Sequence, residues 1–154
     1  MARLASVAAL LGLVLLATAC ARPEAGVRVE GAWIATPLGG ADTASGFAVI
    51  HNGAGAQDRL LSASSPRAGE VTLHEMNMDG MVMTMRPLVG GLSVPAHGEA
   101  TLDPSGAHLM FVRVAAPMTT GETVPVVLQF EHAGAVSVDF KVADAPPPAH
   151  DMHN

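Results

Sequence analysis

The stretch His74-Glu-Met-Asn-Met-Asp-Gly-Met-Val-Met-Thr-Met85 alternates thioether side chains with mostly polar ones and is interrupted once, at Asp79-Gly80. Alternation with a period of two marks a β-strand with two unlike faces. Asp-Gly between two such runs signals a hairpin, because a type I′ turn needs positive φ at both central residues. With the turn placed there, Met78 is expected to face Met81, Met76 to face Met83, and His74 to face Met85. His74, Met76, Met78, Met81, Met83 and Met85 then share one face. Glu75, Asn77, Val82 and Thr84 take the other.

The same texture extends outward from the hairpin. From Val27 to Val142 the chain is a series of short β-like runs separated by Gly, Pro, Asn and Asp. The runs are Val27–Ile34, Gly46–His51, Leu60–Ser64, Val71–Met78, Met81–Leu88, Gly91–Val94, Glu99–Leu102, His108–Val114, Thr123–Phe130 and Val136–Val142. No long helical periodicity interrupts them. Roughly eight short strands at this spacing imply an all-β antiparallel sandwich or Greek-key barrel. The apolar fraction is 49% but aromatics make up only 3%, so Val, Ala, Leu and Met must fill the interior.

The ends read differently. Arg3 followed by the apolar run Leu4 to Leu16 and the small residues Ala17, Thr18 and Ala19 has the form of an export signal over residues 1–20. The run is too short to span a bilayer. Ala17-Thr18-Ala19 fits ordinary signal cleavage, whereas Leu16-Ala17-Thr18-Ala19-Cys20 resembles a lipobox whose Leu stands one place too far from the cysteine. Lipidation of Cys20 is preferred, because acylation removes a lone thiol from an oxidising compartment. Residues 21–26 form a tether, 27–143 the β-domain, and 144–154 a flexible Pro-, His- and Met-containing tail. The expected location is the periplasm.

Charge narrows the partners. The formal net charge is −6, and −7 once Arg3 leaves with the leader. No Lys or Arg run exists, which argues against nucleic acid. The only expected tie to a membrane is the lipid. No HExxH, no Gly-rich phosphate loop and no local Ser-His-Asp arrangement suggests an enzyme.

The chemistry lies in the donors. Five of the nine methionines fall within ten residues, in a chain otherwise built with Val and Leu. A bland reading makes them core filler. The polar opposite face argues instead for a burying or metal-binding face. His108-Leu-Met110 adds an imidazole and a thioether pointing the same way along one strand. Two imidazoles and two thioethers, His74, Met85, His108 and Met110, make a soft set that selects Cu(I) over Zn(II), Ca(II) and Mg(II). Met76 and Met83 are secondary candidates on the hairpin, and His150, Met152 and His153 in the tail. A blue-copper centre shares the expected architecture but needs a Cys thiolate, and the domain has no cysteine to offer. His51, His97 and His132 lack donor-rich neighbours and are read as structural or surface residues. Met118 is read as a loop residue.

These residues resemble the periplasmic copper chaperone family often written PCu(A)C. Its pattern is a His, ten residues, a Met, about twenty-one residues, then His-x-Met. Here ten residues separate His74 from Met85 and twenty-two separate Met85 from His108, one more than the pattern, with Met110 in the last place. Further likenesses are Gly31-Ala-Trp33-Ile-Ala-Thr-Pro37, Gly46-Phe-Ala-Val-Ile-His-Asn52, Ser65-Pro66, Asp79-Gly80-Met81, Met85-Arg86-Pro87, Val94-Pro95-Ala96 and Leu102-Asp103-Pro104, so the resemblance runs through most of residues 27–142. It implies a cupredoxin-like β-barrel that binds Cu(I) near its surface. It also implies delivery toward the copper-site subunit of cytochrome c oxidase, with Sco-type proteins as co-workers, and Cu(II) capture by His- and Met-rich tails. Two other readings stand beside it: a copper-storage or resistance protein, and a structural β-sandwich whose Met face is an apolar interface.

Overall fold

The computed structural model describes residues 26–147. The export signal, Cys20, most of the tether, and His150, Met152 and His153 lie outside the described residues.

Ten strands account for most of the domain: β1 Val27–Ala35, β2 Thr43–Asn52, β3 Asp58–Ser64, β4 Ala68–Asp79, β5 Val82–Pro87, β6 Leu92–Val94, β7 Glu99–Leu102, β8 Ala107–Val114, β9 Thr123–Phe130 and β10 Ala135–Ala143. A single 3-10 turn, Leu38–Gly40, is the one helical element among the described residues. Every expected strand forms. β2 and β4 each begin three residues earlier than expected, because Thr43–Ser45 and Ala68–Glu70 both find ladder partners on β8.

The order β4-β8-β2-β1-β10-β9-β3 closes on itself, because β3 also pairs with β4 through Ala63 and Val71. β5 and β6 extend the free edges, and β7 continues the ladder of β8 along β2. All pairings are antiparallel except β1 with β10, where Trp33, Ile34 and Ala35 run alongside Lys141, Val142 and Ala143. The result is an all-β closed barrel of the cupredoxin-like kind, in which sequence neighbours are often not sheet neighbours.

Alternation fills the barrel. In β9, Val124, Val126, Leu128 and Phe130 point inward and are buried, while Thr123, Pro125, Val127 and Gln129 are exposed. In β8 the inward pair is Leu109 and Phe111, both fully buried. Gly46 on β2 makes room for Phe111: a Cβ there would stand 2.7 Å from its ring. Met118, in the loop after β8, is buried in this core and not exposed as a loop residue would be. In an aromatic-poor chain a flexible thioether fills a gap that branched residues cannot.

The hairpin departs from expectation in register. Asp79 pairs with Val82, Met78 with Met83, Met76 with Met85, and His74 with Pro87. The two turn residues are therefore Gly80 and Met81. Only Gly80 has positive φ, at 65°, as a II′-type turn requires at its first central position. A turn on Asp79-Gly80 would have forced Asp79 into the left-handed region, which costs about 1–2 kcal/mol outside glycine. The shift moves both partners together, so the faces keep their parity. His74, Met76, Met78, Met83 and Met85 still share one face. Met81 leaves it for the turn, where it is 99% exposed, and His74 is not directly opposite Met85. Pro87 is tolerated opposite His74 because β5 is an edge strand.

Candidate metal centre

Because Leu109 and Phe111 of β8 face the core, His108 and Met110 face outward. On β4 the same logic turns Val71 and Leu73 inward and Thr72 and His74 outward. Antiparallel pairing sets His74 beside His108 and Thr72 beside Met110. The site is thus built on the outside of the barrel wall, across β4, β5 and β8. Two aromatic side chains continue it: Trp33 packs on Phe47 with ring centroids 4.9 Å apart, and Phe47 lies 6.4 Å from His108. Both belong to the outer layer, yet both are buried.

His108 is the anchor. It is buried at 4% exposure, deeper than a surface site would suggest. Its Nδ1 lies 3.2 Å from the Gly106 carbonyl oxygen. A carbonyl can only accept, so Nδ1 carries the hydrogen and Nε2 of the neutral ring is a bare lone pair. That lone pair faces Met85 Sδ at 3.2 Å. Bond lengths of ~2.0 Å to nitrogen and ~2.3 Å to sulfur place two tetrahedral donors on one ion about 3.5 Å apart. The two atoms already stand at that spacing. Met85 reaches His108 from β5, across β4, while its own side chain remains 48% exposed.

The Gly106 carbonyl is held by a tight turn. The Asp103 carboxylate accepts hydrogen bonds from the Ser105 amide at 2.8 Å and the Ser105 hydroxyl at 2.6 Å, and the Gly106 amide donates to the Asp103 carbonyl. The Ser105 hydroxyl holds the Asp103 carboxyl below the usual aspartate range; burial works the other way, and the Ser105 and Gly106 amides and the nearby His108 add to the lowering. Asp103 thus fixes a loop that fixes a tautomer.

His74 is oriented from the other side. Its Nε2 lies 3.2 Å from Thr72 Oγ1, and that hydroxyl is also 3.5 Å from the Met110 carbonyl oxygen. With the single hydroxyl hydrogen of Thr72 on the Met110 carbonyl, the Thr72 oxygen accepts, and the ring facing it is the Nε2–H tautomer. His74 Nδ1 is then a bare nitrogen, buried and without any partner in the fold. An orphaned buried nitrogen is costly unless something binds it. Burial pushes the His74 pKa below the ordinary imidazole value, and charge on His108 adds to this. A neutral ring is the form that ligates metal. The ring centroids of His74 and His108 are 6.1 Å apart. With bonds of ~2.0 Å and a ring radius of ~1.2 Å, two imidazoles on one tetrahedral ion have centroids about 5.2 Å apart, so these rings need to close by about an ångström to share an ion.

The fold therefore gathers His74, Met85 and His108, and it places Met110 two residues from His108 on the same outward face. Met76 stands opposite Met85, and Met83 lies further along the hairpin. Thr72 and the Gly106 carbonyl were not anticipated. Thr72 had a signal, since it shares a strand face with His74 at a separation of two. A backbone carbonyl in a loop has none. Two further described histidines pair with carboxylates: His51 sits between Glu30 and Glu99, each 3.4 Å away, and His132 lies 3.4 Å from the buried Asp58. Among the described residues no group of three or more His, Cys, Asp and Glu side chains is placed to hold a metal, so a centre here must draw on thioethers.

Comparison with known proteins agrees with this architecture. The family model described as "Putative lipoprotein LpqE-like" matches residues 27–142. A relative from Leifsonia xyli subsp. xyli, "Putative lipoprotein Lxx21020", is 28% identical over 119 residues, covering 77% of this chain and 70% of that protein. The solution structure of CuI-DR1885 from Deinococcus radiodurans is 26% identical with a TM-score of 0.57, covering 83% of each chain. The copper-bound PCuAC domain from PmoF2 is 24% identical with a TM-score of 0.64, covering 77% of this chain and 93% of that one, a likeness of fold. With three quarters of its length matched and its barrel superposing on these domains, this chain belongs to the LpqE-like family and has the PCuAC fold.

Proposed function

We propose that this domain binds one Cu(I) through His74, Met85, His108 and Met110 and passes it to an acceptor protein. The observation that carries the reading is the approach of His108 Nε2 to Met85 Sδ at 3.2 Å, with His74 paired to His108 across the β4–β8 ladder and its Nδ1 buried without a partner. Among the described residues no hydrogen-bond partner reaches His74 Nδ1, and a metal would supply one. The copper-bound state of two structural neighbours supports the same role.

Chemistry explains why such a site suits transfer. All four ligands are neutral, so the complex keeps the single charge of the ion. Thioethers carry no proton and form no disulfide, which suits an oxidising compartment. His108 is held by a carbonyl and by burial, whereas Met85 is half exposed on an edge hairpin. An acceptor can displace the outer thioether first and the imidazoles after it, one bond at a time. The role is binding and hand-over without catalysis. Export, a periplasmic location and an anchor at Cys20 belong to the same proposal, supported by the lipoprotein family and relative. So do an oxidase copper-site subunit as acceptor and Sco-type proteins as partners.

Anaerobic Cu(I) titration of the exported chain tests the site. The first and tightest ion taken by wild type is expected to bind here, and Met85→Leu with Met110→Leu to lose most of that affinity. An unchanged affinity in that double variant rejects the ligand set. Mixing loaded protein with an apo oxidase copper domain then separates delivery from storage, because a storage protein keeps its copper.

A further inference from the structure

Of the four hairpin sulfurs unused by the site above, three, those of Met76, Met78 and Met83, share one face, while Met81 stands in the turn. Met78 opposes Met83, and Met76 opposes Met85. The Leu88 amide donates to the Leu73 carbonyl, which makes 73/88 a hydrogen-bonded pair of this ladder. Alternation from there makes 75/86, 77/84 and 79/82 hydrogen-bonded and both methionine pairs non-hydrogen-bonded. In such pairs the Cα atoms approach to about 4.5 Å and the side chains lie closest. The diagonal from Met76 to Met83 is about 7–8 Å, within reach of long side chains. Met76, Met78 and Met83 can therefore turn three sulfurs toward one point.

Met76 is half-buried, but the exposure of Met78 and Met83 argues against a packing role for those two. Met118 does pack, and is 3% exposed; Met78 and Met83 are 62% and 52% exposed. On an exposed edge strand, branched residues serve the backbone better and charged ones guard the edge better. Neither is used on this face. The carboxylates of the hairpin, Glu75 and Asp79, stand on the opposite face with Asn77 and Thr84. The methionine face thus offers only soft, neutral donors, to which hard divalent ions have little affinity.

We propose that Met76, Met78 and Met83 form a second site for a soft monovalent cation, Cu(I) or Ag(I), outward of the imidazoles and sharing none of their ligands. Met76 stands directly across from Met85, so an ion leaving this trio meets the sulfur that faces His108. The trio is an entry and exit station for the inner site. The site itself stands independently; its role as a station rests on the function proposed above. The transfer is ligand exchange alone, with no change in oxidation state.

The test uses the full exported chain with methyl-labelled methionine and Ag(I) as a redox-silent probe, read by NMR residue by residue so that tail donors are not confused with the barrel. The Met85 methyl is expected to shift with the first equivalent, and the Met76, Met78 and Met83 methyls with a further one. Met78→Leu with Met83→Leu is expected to abolish the second event, leave the Met85 response intact, and slow copper transfer to an acceptor at least about tenfold. Outer methyls that stay unmoved through several equivalents while Met85 shifts overturn this proposal and leave the inner site standing. The reverse pattern, outer methyls shifting and Met85 silent, removes the inner site and leaves this one. Transfer at the wild-type rate in the double variant rejects the station.

Discussion

Replacing Thr72 by valine removes one oxygen and keeps the shape and β preference of the side chain. Thr72 touches no metal in the proposed site. It only receives the hydrogen on His74 Nε2, 3.2 Å away, and so keeps His74 Nδ1 bare and directed at the ion. Without it the ring loses its orienting partner and populates the wrong tautomer. Groups that orient a ligating histidine are commonly worth 10–100-fold in metal affinity. That corresponds to about 1.4–2.8 kcal/mol. The same hydrogen bond contributes only about 0.5–1.5 kcal/mol to folding. Thr72→Val is therefore expected to weaken Cu(I) binding 10–100-fold in an anaerobic competition against a coloured chelator, while the urea unfolding midpoint moves little. Thr72→Ser, which keeps the hydroxyl, should recover most of the affinity. Nitrogen-15 shifts of the apo protein should show His74 as a single Nε2–H tautomer in wild type and a mixture in the valine variant. An affinity within about twofold of wild type, with an unchanged His74 tautomer, would refute the orienting role of Thr72.

Three further outcomes follow from the fold. Gly46→Ala forces a Cβ against the Phe111 ring, at 2.7 Å before relaxation, and should cost about 1–3 kcal/mol in urea unfolding. Gly80→Ala puts a side chain at φ 65° and should cost about 1–2 kcal/mol, with Gly80→Asn recovering part of it. Asp58 is buried; burial alone would raise its pKa, but the amides of His132, Arg59 and Ala133, with His132 beside it, hold it below the ordinary aspartate value. The unfolded chain then binds the extra proton, so this stabilisation is complete above about pH 5 and disappears as pH falls through the depressed native value. Asp58→Asn should cost about 1–3 kcal/mol at pH 7, and the gap from wild type should narrow toward pH 3, as measured by denaturant unfolding at each pH.

Much of this architecture is legible before any coordinates. Strands such as Thr123–Phe130 carry an unbroken inside–outside alternation, and alternation depends only on the pleat. The shared face of the hairpin methionines is legible for the same reason, and it survives the displaced turn. What fails is the facing of His74 and Met85, because it rests on turn type, and a single glycine supports two turns one residue apart. Donor type and spacing put His74 and His108 in one set, but the strand pairing that joins them could not be read. It depends on β8 inserting between β4 and β2, a long-range choice made by the whole barrel. The aromatic floor of Trp33 and Phe47 was hidden for the opposite reason: large apolar residues are assumed to face the core, and these two face away from it.

The parallel pairing of β1 with β10 gives the molecule a head and a foot. Because those neighbours run in the same direction, the chain enters the barrel near Val27 at one pole and leaves past Ala143 at the other. β2 turns back so that Asn52 lies beside Val27, and β8 and β4 carry the same levels sideways until the hairpin points toward the entry pole. The described chain thus begins at the pole toward which the methionines reach and ends at the other. Anything joined ahead of Val27 therefore starts beside the soft donors, and anything joined after Ala143 starts a barrel length away from them.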